Sequence, residues 1–191
     1  GLKPSIEVIG VEPDLYPSLT NALKRGNIPC EGSTIGEGIA VRAIGATALP
    51  LIEEHVKDVV TVSETSMERA VSMFLSRDKV VAEGAGAASL AALIEHPALF
   101  AGRRVGLVLS GGNIDARMLS SVLMRDLLRL GQVLTLSIAM PDKPGQLNAV
   151  ASICADLGAN VLEVAHTRFA MDLSASAARL NITIETRDEA H

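Results

Sequence analysis

The first 130 residues alternate between short apolar runs and segments of helical period. Four runs are rich in β-branched residues and predict strands: Ile6–Val11, Asp58–Val62, Lys79–Ala82 and Val105–Leu109. Because these runs are continuously apolar rather than alternating, they predict a mostly parallel sheet with helices on both faces, an α/β fold.

Two of the intervening segments predict helices. In Thr65–Arg77, Thr65 and Glu68 have the spacing of a capping box at a helix N-terminus. The segment from about Asp115 to Leu130 repeats apolar residues along one side at helical spacing.

Beyond residue 130 the pattern changes to strand, tight loop, helix, strand and a further alternating strand. The loop Asp142–Gly145 leads into a helix that we expect to end at Gly158, a glycine of the helix C-cap type. We therefore predict two domains, residues 1–130 and residues 131–191. Both would leave strand edges unpaired at the ends of the chain, so we expect the sequence to be part of a longer protein.

Composition excludes several classes of partner. The 191 residues include 48% hydrophobic and 20% charged residues, which is typical of a globular protein. A net charge of −5, with one tyrosine, three phenylalanines and no tryptophan, argues against nucleic-acid binding. No apolar stretch is long enough to span a bilayer and no signal peptide is evident. Cys30 and Cys154 form no disulfide or metal framework, which favours a cytoplasmic protein.

Polar or glycine-rich residues follow three of the predicted strands. In the stretch VGLVLSGGNI, Ser110, Gly111 and Gly112 follow the apolar run, Glu83 follows the run Lys79–Ala82, and Glu12 follows Val11. In open parallel sheets, ligands bind at the carboxyl ends of strands. Here glycines would let the backbone approach a flat ligand closely, and a serine hydroxyl can hydrogen-bond to a ring nitrogen without protonating it. The alternative is that the serine and glycines form only a tight strand-to-helix turn.

Five ordered segments resemble the second half of the serine/threonine dehydratases, pyridoxal-phosphate enzymes of the tryptophan-synthase β fold type. The segments are EVIGVEP, STIGEGIAV, DVVTVSE, VVAEGAGAASLAAL and VGLVLSGGNID. The segments PDKPGQL and GANVLEVAHTR resemble the ferredoxin-like α+β ACT domain that some bacterial threonine dehydratases carry. The resemblance implies a catalytic-domain portion over residues 1–130 and an incomplete ACT regulatory domain over residues 131–191.

The resemblance implies a cofactor site at Ser110, Gly111, Gly112 and Glu83, with the serine hydroxyl on the pyridine nitrogen of pyridoxal 5'-phosphate. Glu83 would lie near the ring, or would merely cap the helix that begins at Gly84. The family's Schiff-base lysine has no counterpart, because none of the five lysines has the required sequence context. The phosphate-binding glycine loop has no counterpart either, because no G-G-G-G-type sequence is present. We therefore expect no catalytic lysine in this chain, and no activity from it alone.

Some relatives in this family bind a divalent cation through the glutamate of VEP and a later aspartate. Here Glu12 is present but Ser18 occupies the later position, so we predict no metal, although Asp14 offers a substitute carboxylate.

ACT domains bind small ligands between paired domains. The positions carried over as a regulatory site are Asp142, Gly145, Gln146, Leu147 and Asn160. Exposed N–H groups at the helix start suit a carboxylate, and isoleucine or valine are the expected effectors. The alternative is that Asp142–Gly145 is only a stable turn and that Asn160 satisfies local backbone.

The resemblance therefore implies a PLP-dependent threonine ammonia-lyase, as part of a longer enzyme, that takes an amino-acid substrate. It also implies allosteric control as in isoleucine biosynthesis and a homo-oligomeric assembly. An alternative is an amino-acid-sensing ACT module on an α/β scaffold. A generic nucleotide-binding domain is a weaker alternative, because no G-x-G-x-x-G follows the first strand.

Overall fold

The structure is a computed structural model that describes residue 3, residues 5–169 and residues 171–191. These residues form two compact units, residues 1–123 and residues 124–191. The division falls within one helix, whereas the sequence predicts a boundary after residue 130. None of the helices in the described ranges is long and apolar enough to cross a membrane.

The first unit contains two strands and most of the helices. The strands are β1 (Ile9–Pro13) and β2 (Asp58–Val62). The helices are α1 (Ser18–Lys24), a 3-10 turn (Glu37–Ile39), α2 (Ala48–His55), α3 (Glu64–Met73) with a π turn (Phe74–Asp78), α4 (Gly84–Glu95), α5 (Pro97–Phe100) and the first part of α6 (Ala116–Arg129), the helix in which the division falls. β1 and β2 pair in parallel, from Ile9 opposite Asp58 to Pro13 opposite Val62.

Helices α3 and α4 supply most of the core of this unit. Alanines on α4, among them Ala87, Ala91 and Ala92, are almost fully buried in one cluster with Met67 and Val71 of α3. Alanine has no bulk beyond Cβ, so α4 lies close to its neighbours. That close packing fixes where the N-terminus of α4 lies, which matters for the site below.

The prediction of a four-stranded parallel sheet is wrong for the described residues, because only two of the four predicted strands form. The segments 79–82 and 105–109 have no ladder of backbone hydrogen bonds and are not strands. A single backbone bond, from the Glu83 amide to the Gly111 carbonyl at 3.1 Å, links the ends of the two segments. Apolar side chains along them, such as Val81 and Val108, are exposed. An apolar run becomes a strand only where a neighbouring backbone pairs with it.

The predicted capping box at Thr65 and Glu68 is also wrong, because α3 begins two residues earlier. Ser63 is its N-cap, and the Ser63 hydroxyl accepts a hydrogen bond from the Ser66 amide at 3.3 Å. Glu64 then lies in the first turn, where a negative charge is favourable beside the helix dipole. The same rule of capping chemistry applies, but to the serine rather than to the threonine.

The second unit agrees with the predicted order of elements. It contains β3 (Val133–Pro141), α7 (Gln146–Leu157), β4 (Asn160–Thr167) and β5 (Ala177–Glu185). The sheet is antiparallel with the order β3-β5-β4. β5 alternates buried and partly buried residues along its length, as the sequence predicts, and Ile182 and Ile184 pack with Cys154 of α7. The helix ends at Gly158, which has a left-handed conformation (φ +77°).

Candidate functional site

The candidate site lies where the Ser110–Gly112 turn meets the N-terminus of α4. The Glu83 amide donates to the Gly111 carbonyl, so the residue before α4 is tied directly to this turn. The structure therefore brings Glu83, Ser110, Gly111 and Gly112 together, even though the segments leading to them form no sheet.

Glycines make this contact possible. A Cβ on Gly111 would overlap the Glu83 carboxylate, whose Cδ would lie 2.9 Å away. A Cβ on Gly86 would lie 2.9 Å from the Gly111 nitrogen, and one on Gly112 would lie 2.6 Å from the Val81 carbonyl oxygen. Real Cβ atoms essentially never come within 3.0 Å of such atoms. Three glycines therefore let the 110–112 turn, the Glu83 side chain and the N-terminus of α4 pack in direct contact, and we call this junction the cradle.

Ser110 and Glu83 present polar groups at this cradle. The Ser110 side chain is exposed and makes no hydrogen bond to any residue that the structure describes. Glu83 lies at the N-cap position of α4, but its side chain makes no capping hydrogen bond. Its Oε1 instead lies beside Gly111, so the interpretation of Glu83 as a helix cap is not what the geometry favours.

The segment 34–39 forms a third side of the cradle, next to the 110–112 turn and the N-terminus of α4, and the sequence did not predict it. A Cβ on Gly38 would lie 3.2 Å from the Ala85 Cβ and 4.0 Å from Glu83 Oε1. The Ile35 carbonyl occupies the space that a Cβ on Gly84 would need, and the Ile35 amide donates to Glu64 Oε2 at 2.9 Å. Gly36 and Gly38 in STIGEGIAV could have indicated a close backbone contact, but the residues that they contact are distant in sequence.

The glutamate considered as a metal ligand has structural partners. Both carboxylate oxygens of Glu12 accept backbone hydrogen bonds at the start of α1, from Leu19 at 2.9 Å and from Thr20 at 2.8 Å. Within the described ranges, no group of three or more histidine, cysteine, aspartate or glutamate side chains is arranged to hold a metal ion.

The predicted regulatory residues fall at two places in the second unit. Gly145 is the N-cap of α7 with φ +92°, Gln146 and Leu147 begin the helix, and Asp142 accepts a hydrogen bond from Arg168 Nε at 3.1 Å. Asn160 is elsewhere, where it donates to Glu185 Oε2 at 3.2 Å. Pro141 pairs with Ala177 at one end of β5, and Asn160 pairs with Glu185 at the other. At about 3.4 Å per strand residue, these ends are roughly 27 Å apart, so one chain does not bring all five residues together.

Comparison with known proteins identifies the family of this chain. A family model described as "Pyridoxal-phosphate dependent enzyme" matches residues 1–111, more than half of the chain. The chain belongs to the pyridoxal-phosphate-dependent enzyme family.

Members of this family with similar sequences include L-threonine ammonia-lyases. The protein of that name from Thermotoga maritima is 36% identical over 192 aligned residues, which cover 100% of this chain and 48% of the relative. Another from Geobacter sulfurreducens is 35% identical and covers 98% of this chain and 47% of the relative. The chain thus spans about half the length of these relatives.

A crystal structure of the T.th. threonine deaminase has a similar fold. It superposes with a TM-score of 0.54 at 34% sequence identity, over 60% of this chain and 38% of that chain. The fold class is therefore the α/β fold of this pyridoxal-phosphate-dependent family, although only β1 and β2 pair in parallel here.

The cradle fits the pyridine part of pyridoxal phosphate, the cofactor of this family. Gly111 and Gly112 carry no side chain next to Ser110, and Gly112 is exposed, so the backbone of this turn can approach a flat ring. A neutral hydroxyl suits an unprotonated ring nitrogen, and Ser110 Oγ is exposed beside the glycines.

Proposed function

We propose that this chain is the C-terminal portion of a threonine ammonia-lyase, which converts L-threonine to 2-oxobutanoate and ammonia. The observation that carries the proposal is the match to proteins named L-threonine ammonia-lyase, which extends over 100% and 98% of this chain and so includes both units. The cradle supports it as well, because the exposed Ser110 hydroxyl and the side-chain-free backbone of Gly112 lie next to each other there.

The proposed reaction is a β-elimination. The α-proton and the β-hydroxyl of threonine leave, and water then hydrolyses the resulting enamine to the 2-oxo acid and ammonia. Bound pyridoxal phosphate supplies the electron sink for the α-carbon. The lysine that family members use is expected outside this sequence.

Ser110 would direct the outcome of that chemistry. As a neutral hydrogen-bond donor, its hydroxyl leaves the ring nitrogen unprotonated and limits delocalisation of negative charge into the ring. That favours loss of the β-hydroxyl over racemisation or transamination. Glu83 would lie at the ring edge, held there because Gly111 has no side chain.

The test is turnover by the full-length protein that contains this chain. We expect pyridoxal-phosphate-dependent formation of 2-oxobutanoate from L-threonine, and pyruvate from L-serine. In Ser110→Asp, a carboxylate that favours a protonated ring nitrogen should lower elimination and raise racemisation or transamination. Ser110→Thr, which keeps a hydroxyl, is the matched control. Elimination by Ser110→Asp at the wild-type rate and with the wild-type products would contradict the role given to Ser110.

We propose further that residues 131–191 form an ACT-like regulatory domain. Its support is the order strand, helix, strand, strand and the antiparallel sheet β3-β5-β4 with a helix packed against it. The effector, isoleucine or valine, would bind at Asp142, Gly145, Gln146 and Leu147. Asn160 lies at the far end of the same sheet, so it would contribute only where two chains pair.

Titration calorimetry tests the regulatory proposal. Isoleucine or valine should bind to the full-length protein, and Asp142→Asn should weaken binding, because the carboxylate is the group expected to take the ligand's ammonium. Heat of binding that Asp142→Asn leaves unchanged would place the effector elsewhere. Amino-acid binding by a protein that takes up no pyridoxal phosphate would favour the alternative, a sensing module on an α/β scaffold.

A homo-oligomeric assembly and a cytoplasmic location complete the proposal.

A further inference from the structure

Glu64 is tied to the segment 34–39, which forms one wall of the cradle. Glu64 Oε2 accepts a hydrogen bond from the Ile35 amide at 2.9 Å, across 29 residues of sequence. The carbonyl of the same residue, Ile35, fills the space beside Gly84 at the start of α4. A little further along, Gly38 faces Ala85 and Glu83.

We infer that Glu64 is a positioning residue, which holds the segment 34–39 against the N-terminus of α4 and so sets the wall that faces Glu83. This inference rests on the proposed function, because it concerns the site that would hold pyridoxal phosphate. Glu64 does not itself line the cradle; it acts through Ile35.

The second carboxylate oxygen of Glu64 supports this inference. Glu64 Oε1 is buried and has no hydrogen-bond partner among the residues that the structure describes. Burial of a polar atom without a partner is unfavourable, so packing alone gives no reason for a carboxylate here. The bond to Ile35 gives one.

A purely structural role is the competing explanation, since an acidic residue in the first turn of α3 stabilises that helix. Glu95 provides a matched control. Its Oε2 accepts from the Ser63 amide at 2.8 Å and from the Ser63 hydroxyl at 2.9 Å, at the same helix N-terminus. No bond from Glu95 to the segment 34–39 is found within the described ranges.

The experiment compares Glu64→Ala, Glu64→Asp, Glu64→Gln and Glu95→Ala in the full-length protein. Affinity for pyridoxal phosphate is measured from the absorbance of the bound cofactor, stability from thermal unfolding, and mobility from hydrogen exchange of a peptide covering residues 33–39. Exchange is measured with and without the cofactor.

We expect Glu64→Ala to bind pyridoxal phosphate about tenfold more weakly and to exchange faster at residues 33–39. Glu64→Asp should do the same while staying folded, because it keeps a charge at the helix N-terminus but is too short to reach Ile35. Glu64→Gln should bind within about twofold of wild type, because its amide oxygen can accept the Ile35 bond. Glu95→Ala should unfold at lower temperature with unchanged affinity and unchanged exchange at residues 33–39.

Wild-type exchange and affinity in Glu64→Asp, or equal losses of affinity in the Glu64 and Glu95 variants, would overturn the inference. Failure of the wild-type protein to bind pyridoxal phosphate would instead overturn the proposed function. The exchange measurement without cofactor would then still decide whether Glu64 holds the segment.

Discussion

At the scale of single residues, Gly111 is the position of the cradle that contacts the Glu83 carboxylate. In Gly111→Ala the new Cβ would overlap the Glu83 carboxylate, so either that side chain or the turn must move. We expect at least a tenfold loss of affinity for pyridoxal phosphate in the full-length protein, on the order of 1.4 kcal/mol or more. Absorbance titration measures it.

The control for Gly111 is Gly106→Ala in the same extended segment. Nothing lies within 4 Å of a Cβ at Gly106, so this variant should bind the cofactor as the wild type does. Equal affinities in the two variants would mean that the close approach of Gly111 to Glu83 does not matter for binding.

At the residue scale, the environment of Glu95 predicts how the stability of the fold depends on pH. Burial alone would raise the pKa of Glu95, but hydrogen bonds from the Ser63 amide and from the Ser66 and Ser63 hydroxyls outweigh it and lower the pKa below 4.5. The charged form is thus favoured in the folded state. Its stabilising contribution is complete above pH 4.5 and is lost as the pH falls through the lowered value.

Glu95→Gln tests this sign. The variant should be less stable than the wild type at neutral pH, and the difference should shrink as the pH falls below 4.5 and through the lowered pKa of Glu95. Urea unfolding at a series of pH values measures it. A difference that stays constant from neutral to acidic pH would show that the Glu95 charge contributes nothing.

Residues at the ends of apolar runs could be predicted from the sequence as candidate site residues, whereas the neighbours that pack against them could not. Ser110, Gly111 and Glu83 stand out because a polar or glycine-rich turn interrupts an apolar pattern. Gly38 and Glu64 carry no such local mark. Their importance comes from contacts with Ala85 and Ile35, which depend on tertiary packing and not on local sequence.

At the scale of elements, the C-terminus of α7 depends on the left-handed backbone conformation of Gly158. Gly158 has φ +77°, and a Cβ there would meet no atom within 4 Å. Gly158→Ala should therefore lower the free energy of unfolding by about 1 kcal/mol, the cost of a left-handed conformation for a residue with a Cβ. Gly158→Asn should lose less, because asparagine tolerates that conformation better. Urea unfolding compares the two, and identical losses would contradict the explanation.

Elements with a complete local signal could be predicted, and those that need a partner could not. Helix α7 has its stop signal at Gly158, and β5 alternates along its whole length. The predicted bounds of β2 are the observed ones. The segments 79–82 and 105–109 have the composition of strands, but within the described ranges they pair with no strand. Most of their apolar side chains are exposed, although Ala82 is buried. Strand propensity describes a side chain that suits a sheet; it does not supply the neighbouring strand.

At the scale of the whole molecule, the two units differ in how much of their structure local sequence patterns predict. In the second, the strand-helix-strand-strand order follows from local patterns, and its five predicted site residues divide between the two ends of one sheet. In the first, the site is assembled from three segments, 34–39, 83–86 and 110–112, separated by long stretches of chain. Local pattern thus reveals the parts of such a site without showing how they meet.

The distribution of lysines gives the last prediction. Two lysine amines of the first unit already have partners, since Lys57 pairs with Glu7 and Lys79 Nζ donates to the Ser76 carbonyl at 2.6 Å. Neither these nor Lys3, Lys24 and Lys143 have the sequence context that the family's lysine requires. The purified 191-residue chain, mixed with pyridoxal phosphate and L-threonine, should therefore form no 2-oxobutanoate above the rate of free cofactor. The full-length protein at the same concentration is the control. Turnover by the isolated chain that is abolished by replacing one of its own lysines would identify a catalytic lysine within it and refute the assignment of that group to the rest of the protein.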